Sequence, residues 1–299
     1  MVSVLSAASF LSACSTTKSP LPNTDIYLAD MDNAGGGVTN ARNITHRTGY
    51  DNQPSFIEGD SALLYVSDAT GSTDVYRFDI ASETITQITS TPQSEFSPTP
   101  MTDGKSFSAV RVGKPDEDGE EYTVSQQVWR YDFTGRVIAP IIGTRRVGYH
   151  AWINPGLIAL FLVGNEERNI PHELVVVDLA SRVTTPLAKN IGRTIRKTID
   201  GNNISFVDKS DSTQWHVAVI AIGLLQPTQI FALPKGSEDF CWLPDGSLVY
   251  STGSKILRWN GKRGAAPDVT PVFDNGSGSI TRMNISTDGK RVTFVVANN

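Results

Sequence analysis

The sequence predicts an all-β fold, a six-bladed β-propeller, and three observations carry that prediction. A short turn motif flanked by apolar strands recurs six times along the chain. Its copies are evenly spaced, and no long segment keeps the helical period. The last copy breaks off near the C-terminus, and strands that complete it stand at the N-terminus.

The motif is an aromatic or apolar residue, a turn, then an apolar strand. It reads Phe56-Ile57-Glu58-Gly59-Asp60 before ALLYVS, Met101-Thr102-Asp103-Gly104 before KSFSAVRV, and Trp152-Ile153-Asn154-Pro155-Gly156 before LIALFLV. It returns as Thr198-Ile199-Asp200-Gly201, Trp242-Leu243-Pro244-Asp245-Gly246 and Ser286-Thr287-Asp288-Gly289. The final turn residues fall at 60, 104, 156, 201, 246 and 289, so successive copies are 43 to 52 residues apart. A period of roughly 45 residues with four short strands is propeller spacing. The Asp-Gly pair suits a tight turn that needs positive φ. A third strand ending in Asp or Asn follows in most copies, as in Val75-Tyr76-Arg77-Phe78-Asp79 and Ile256-Leu257-Arg258-Trp259-Asn260. A polar fourth strand, such as residues 83–89, closes the unit.

Ten residues follow Gly289, enough for inner strands but not for outer ones. Asp25-Ile26-Tyr27-Leu28-Ala29-Asp30 and Asn43-Ile44-Thr45 have the character of the missing half. The N-terminal strands are therefore expected to complete the sixth blade, which removes an exposed sheet edge. Residues 24–299 form the propeller in this reading.

Residues 1–13 (MVSVLSAASFLSA) are small and apolar and too short to span a bilayer. They read as an export signal. Leu11-Ser12-Ala13-Cys14 matches the lipobox of bacterial lipoproteins, with the Cys14 thiol as the lipidation site, although no Lys or Arg precedes it. Residues 14–23 then form a polar tether. Ser15 after the cysteine points to the periplasmic side of the outer membrane, the periplasm itself being the alternative. Membrane contact is expected only through this anchor.

Hydrophobic residues make up 39% and charged residues 19%, which suits a globular domain with a sizeable core. The net charge of −5 gives no broad positive field for phosphate backbones, so nucleic acid is not an expected partner. Two cysteines provide no disulfide framework, and Cys241, between Phe240 and Trp242, reads as a buried apolar residue.

Trp242-Leu243-Pro244-Asp245-Gly246 and Asp51-Asn52-Gln53-Pro54-Ser55-Phe56 resemble the TolB-type (PD40, WD40-like) repeat, roughly D-x-x-P-x-W-S-P-D-G-x-x-I-x-F. The resemblance covers nearly the whole chain and implies the propeller fold, which hosts many functions. TolB carries a separate α/β domain before its propeller and is soluble in the periplasm. Here about ten residues lie between Cys14 and the first strand, so that domain is not expected and TolB's partner is not carried over. Prolyl-oligopeptidase-like peptidases share the repeat and place catalysis in a hydrolase domain with a G-x-S-x-G elbow. That elbow is missing, since Gly276-Ser277-Gly278-Ser279 is followed by Ile280.

His46, His150, His172 and His216 form no H-x-x-x-H pair, and no metal site or cofactor is expected. The acidic run Asp116–Glu121 reads as a solvated hairpin tip inserted in the longest repeat, and Gly35-Gly36-Gly37 as a loop. One pattern points to a binding face. Residues at the start of the first strands share one rim of a propeller. Asp51 and Glu95 come from the first two repeats, Arg145, Tyr149 and His150 from the third, Arg193 and Arg196 from the fourth, Glu238 and Asp239 from the fifth. The rim is expected to be acidic on one side and basic on the other, a charge pattern that favours specific and fast association. The expected function is a monomeric, non-catalytic scaffold of the cell envelope that binds a protein or peptide segment. The alternatives are a small-ligand or glycan-binding propeller and a lyase- or cyclase-type enzyme with a channel site.

Overall fold

The computed structural model describes residues 21–32, 37–113, 125–201, 203–224, 226–261 and 269–298. Cys14, with the rest of the proposed export segment, and the acidic run at 116–121 lie outside these residues, as do Gly35 and Gly36. The described residues form six four-stranded antiparallel sheets arranged as a six-bladed propeller. The inner strands of blades 1 to 6 are Asp51–Phe56, Ser94–Pro100, Val147–Asn154, Ile191–Lys197, Phe240–Trp242 and Ile280–Ile285.

Each second strand is pressed between two neighbouring blades. Ala62–Ser67 is buried at all six positions, and Leu157–Leu162 and Asn203–Asp208 at five of six. Burial on both faces explains why these strands read as continuous apolar runs rather than as alternation. The blades meet through their side chains. Val110 and Val128 of blade 2, for example, pack with Ile158, Leu160, Val175 and Val177 of blade 3. Complete burial of such a side chain contributes roughly 1.5–3 kcal/mol.

The ring closes as the repeat phase predicts. Thr24–Asp32 pairs antiparallel with Arg291–Ala297, setting Ile26 opposite Val295 and Leu28 opposite Thr293, and Gly37–Asn43 forms the outer strand. The Asp-Gly turns hold one refinement. Gly104 and Gly246 sit at φ 62° and 82°, and their N–H groups donate to Met101 O and Leu243 O. The preceding aspartates keep negative φ and act instead as acceptors. Asp103 Oδ1 receives the amides of Lys105 and Ser106, each at 2.9 Å, and Asp245 Oδ1 that of Ser247 at 2.9 Å. The aspartate is therefore selected for its local side-chain bonds.

The motif tryptophans staple neighbouring blades. Trp152 Nε1 donates to Ser108 Oγ of blade 2 at 2.9 Å, and Trp242 Nε1 to Ser205 Oγ of blade 4 at 2.8 Å. Each serine in turn donates to an inner-strand carbonyl, Thr99 O or Arg196 O. The indole N–H is thus satisfied where blade packing excludes water.

Candidate functional site

Counting back seven residues from each final turn residue gives Gln53, Ser97, Tyr149, Thr194, Asp239 and Arg282, one from each blade. All six line the central channel. Three of them adopt left-handed backbone: Gln53, Ser97 and Arg282 have φ of 55°, 53° and 53°. At each the register with the second strand slips, between Asn52 and Ser55, Phe96 and Thr99, and Thr281 and Asn284. A bulge of this kind re-aims a side chain, and left-handed backbone at a non-glycine residue costs about 1–3 kcal/mol. The inner strands are tied to one another at this level. Gln53 Oε1 accepts the Ser97 amide at 2.6 Å, and Ser97 Oγ donates to Gly148 O at 3.3 Å.

Tyr149 and Arg282 belong to opposite blades, and Arg282 reaches across the channel to place its guanidinium carbon 4.9 Å from the centre of the Tyr149 ring. Guanidinium over an aromatic face is attractive at this distance. The pair forms a crossbar with a chamber on either side, and Gln53, Tyr149 and Arg282 line both. The larger chamber, about 440 Å³, opens where the inner strands end. The smaller, about 240 Å³, lies where they begin.

Charge is distributed unevenly over these walls. Among the described residues, four cationic side chains, Arg193, Arg196, Lys197 and Arg282, and one carboxylate, Asp239, line the larger chamber. Arg193 is neutralised, since it pairs with Asp239 and with Glu238 at 2.8 Å, and Lys209 also pairs with Glu238. Burial pushes the Asp239 carboxyl up, but Arg193 and Arg282 outweigh it and hold it below the usual carboxylate range. Arg196 donates to Met283 O at 2.5 Å and leaves its buried Nε without a hydrogen-bond partner. Among the described residues, neither Arg196 nor Arg282 has a carboxylate within ion-pair distance.

His150 lines the same chamber but is buried, and its Nε2 lies 2.7 Å from Ser108 Oγ. Burial lowers its pKa to about 3, so the imidazole is neutral at ordinary pH. The Ser–His contact is not a nucleophile–base pair open to substrate, because Ser108 is fully buried and serves the Trp152 staple. Among the described residues no group of three His, Cys, Asp or Glu side chains is placed to hold a metal ion.

The structure therefore divides the residues expected at the rim. Tyr149, His150, Arg193, Arg196 and Asp239 line the larger chamber, whereas Asp51, Glu95, Arg145 and Glu238 line neither. Asp51 is buried against Arg47, at 3.0 Å. Glu95 is enclosed at the junction of blades 1 and 2 by Thr89, Thr91 and Tyr131. Arg145 is exposed on the loop before blade 3. The rim is not split into acidic and basic sides, because Arg193 of blade 4 meets Glu238 and Asp239 of blade 5 directly. Sequence reading passed over Gln53, Ser97, Thr194 and Arg282. The seven-residue offset from the turn, applied to all six repeats at once, is the signal that finds them.

No family model and no curated protein matches the chain. Solved structures do. A TolB-type protein of Agrobacterium tumefaciens superposes with a TM-score of 0.68 at 14% identity, over 93% of this chain and 99% of that one. A gluconolactonase of Xanthomonas campestris gives 0.63 at 12% identity, over 94% and 98%. An oligogalacturonate lyase in complex with manganese gives 0.58 at 14% identity, over 87% and 80%. The shared feature is the six-bladed propeller, the fold that the TolB-type repeats imply.

Proposed function

We propose that this protein is a binding propeller of the bacterial envelope whose larger chamber receives an acidic segment of a partner protein. One observation carries the reading: with Arg193 neutralised by Glu238 and Asp239, three cationic side chains, Arg196, Lys197 and Arg282, line that chamber with no ion pair among the described residues, inside a molecule of net charge −5. A cleft of one sign with low-dielectric walls focuses field lines and concentrates the opposite charge. Arg196 and Arg282 offer guanidinium donors suited to bidentate carboxylate recognition. About 440 Å³ accommodates a few side chains, not a folded domain, so the partner contributes an extended segment. The likeness to TolB structures fits an envelope role, and residues 1–13, Cys14 and residues 14–23 supply the signal, lipid anchor and tether of this reading.

The test is fluorescence anisotropy with short labelled peptides rich in Glu and their Lys-rich counterparts. Acidic peptides bind, and affinity falls as salt rises from about 50 to 200 mM. Arg196→Glu abolishes the binding while the circular dichroism spectrum is kept. Binding of the Lys-rich peptides, or of an oligouronide in place of any peptide, overturns the reading. Metabolic labelling with an alkynyl fatty acid checks the anchor, because Cys14→Ala then loses the label.

A further inference from the structure

We infer that the smaller chamber is a second, separate binding site, built for a short apolar molecule that ends in a carboxylate. It lies on the opposite side of the Arg282–Tyr149 crossbar from the acidic-segment site, and its chemistry is different. Phe96, Val110, Val112, Val147 and Val163 supply its apolar wall. Among the described residues, Arg282 is the one charged side chain lining it, and no carboxylate does. A cation at the end of an apolar cavity selects a ligand with an anionic head and an apolar body. A neutral ligand brings the guanidinium no counter-charge beyond its stacking on Tyr149, and a purely polar one does not match the valines.

The size narrows the class further. About 240 Å³ holds ~8 non-hydrogen atoms at the roughly 30 Å³ that one water occupies in the liquid. A six-carbon monocarboxylate has that size. The chamber is also kept open by its backbone. Gly148 belongs to the wall, and a Cβ there would lie 3.0 Å from Val163 Cγ2 and 3.1 Å from Phe161 Cδ1. A larger residue would push Val163 into the space that the ligand uses.

The experiment is isothermal titration of the full chain with hexanoate, with hexan-1-ol and hexylamine as matched controls. Hexanoate is expected to bind roughly tenfold or more tightly than either control, since it alone gains a charge-assisted pair. Val163→Trp, which fills the chamber, and Arg282→Gln, which removes its charge, each weaken hexanoate by a similar factor. They act by different means, so a folding failure of one leaves the other decisive. Arg196→Glu, which abolishes acidic-peptide capture, leaves hexanoate within about twofold of the parent. Failure of the peptide reading and failure of this one are thereby told apart. The inference is overturned if hexanoate shows no heat at about 10 mM, if hexanol binds equally well, or if Val163→Trp is without effect.

Discussion

Replacing Glu95 by Gln should stabilise the propeller at alkaline pH and leave it unchanged in mild acid. Glu95 is fully buried at the junction of blades 1 and 2. Its oxygens receive the Thr91 hydroxyl at 2.5 Å and the Tyr131 hydroxyl at 3.2 Å. Thr89 Oγ1 lies 3.3 Å from Glu95 Oε2 and 3.2 Å from Asp74 Oδ1, and it already accepts the Val75 amide. One hydroxyl hydrogen cannot serve both carboxyls, so the geometry asks for a proton on one of them. Burial first, then the charge of Asp74, raise the Glu95 pKa from 4.5 to about 7, against the hydrogen bonds that lower it. The sign follows. Below about pH 4.5 the folded and unfolded chains are both protonated at Glu95 and nothing is lost. Between about 4.5 and 7 the unfolded chain releases the proton while the folded chain keeps it, and stability falls. Above about 7 the full penalty remains. At roughly 1.4 kcal/mol per pH unit the penalty is about 3 kcal/mol. The neutral amide of Glu95→Gln escapes it. Urea unfolding of the parent and the variant at pH 5 and pH 8 measures the difference. The variant should gain up to about 3 kcal/mol at the higher pH and little at the lower. Equal effects at both pH values would refute the reasoning, because Glu95 would then be ionised in the fold throughout.

Trp152→Phe and Trp242→Phe each remove one blade staple and leave Ser108 or Ser205 short of a donor. Each should cost about 1–3 kcal/mol by urea unfolding, at every pH. Ile26→Ala opens a cavity at the closure, where Ile26 is fully buried opposite Val295, and should cost about 2–5 kcal/mol. His150 has its pKa lowered by burial to about 3, so its ring should show no titration by NMR between pH 5 and 8. Its stabilising contribution is present above about pH 6.5 and is lost as pH falls toward 3, so His150→Gln should reduce the acid sensitivity of the fold.

The fold was legible in the sequence because each repeat restates it. Six turns in register gave the blade number, and the phase of the final copy gave the pairing of Thr24–Asp32 with Arg291–Ala297. The site was legible only in part. Asp51 and Glu95 stand at the strand starts, but a charge placed early in an inner strand can turn into the blade junction as readily as onto the rim. Which way it turns depends on partners distant in sequence, such as Tyr131 for Glu95 and Asp68 beside the Arg47 that binds Asp51. Arg193 was visible as a cation, yet its neutralisation by Glu238 and Asp239 depends on the neighbouring blade. Arg282 left no local trace at all. It is a single arginine in the strand ITRMNI, and only the bulge at φ 53° sends it across the channel to Tyr149.

Arg282 also makes the two proposed sites interdependent. Its guanidinium lines both chambers and is stacked on Tyr149. A carboxylate drawn to it in the smaller chamber neutralises one of the larger chamber's cations, Arg196, Lys197 and Arg282, that have no carboxylate within ion-pair distance among the described residues. An acidic segment bound there should then be held more weakly. By linkage, the segment must weaken the carboxylate by the same factor. Acidic-peptide titrations in saturating hexanoate, and hexanoate titrations in saturating peptide, measure the two arms. A charge shared across one side chain predicts equal factors above one in both directions. Factors of one in both would mean that the chambers draw on separate charges, Arg196 serving the larger alone.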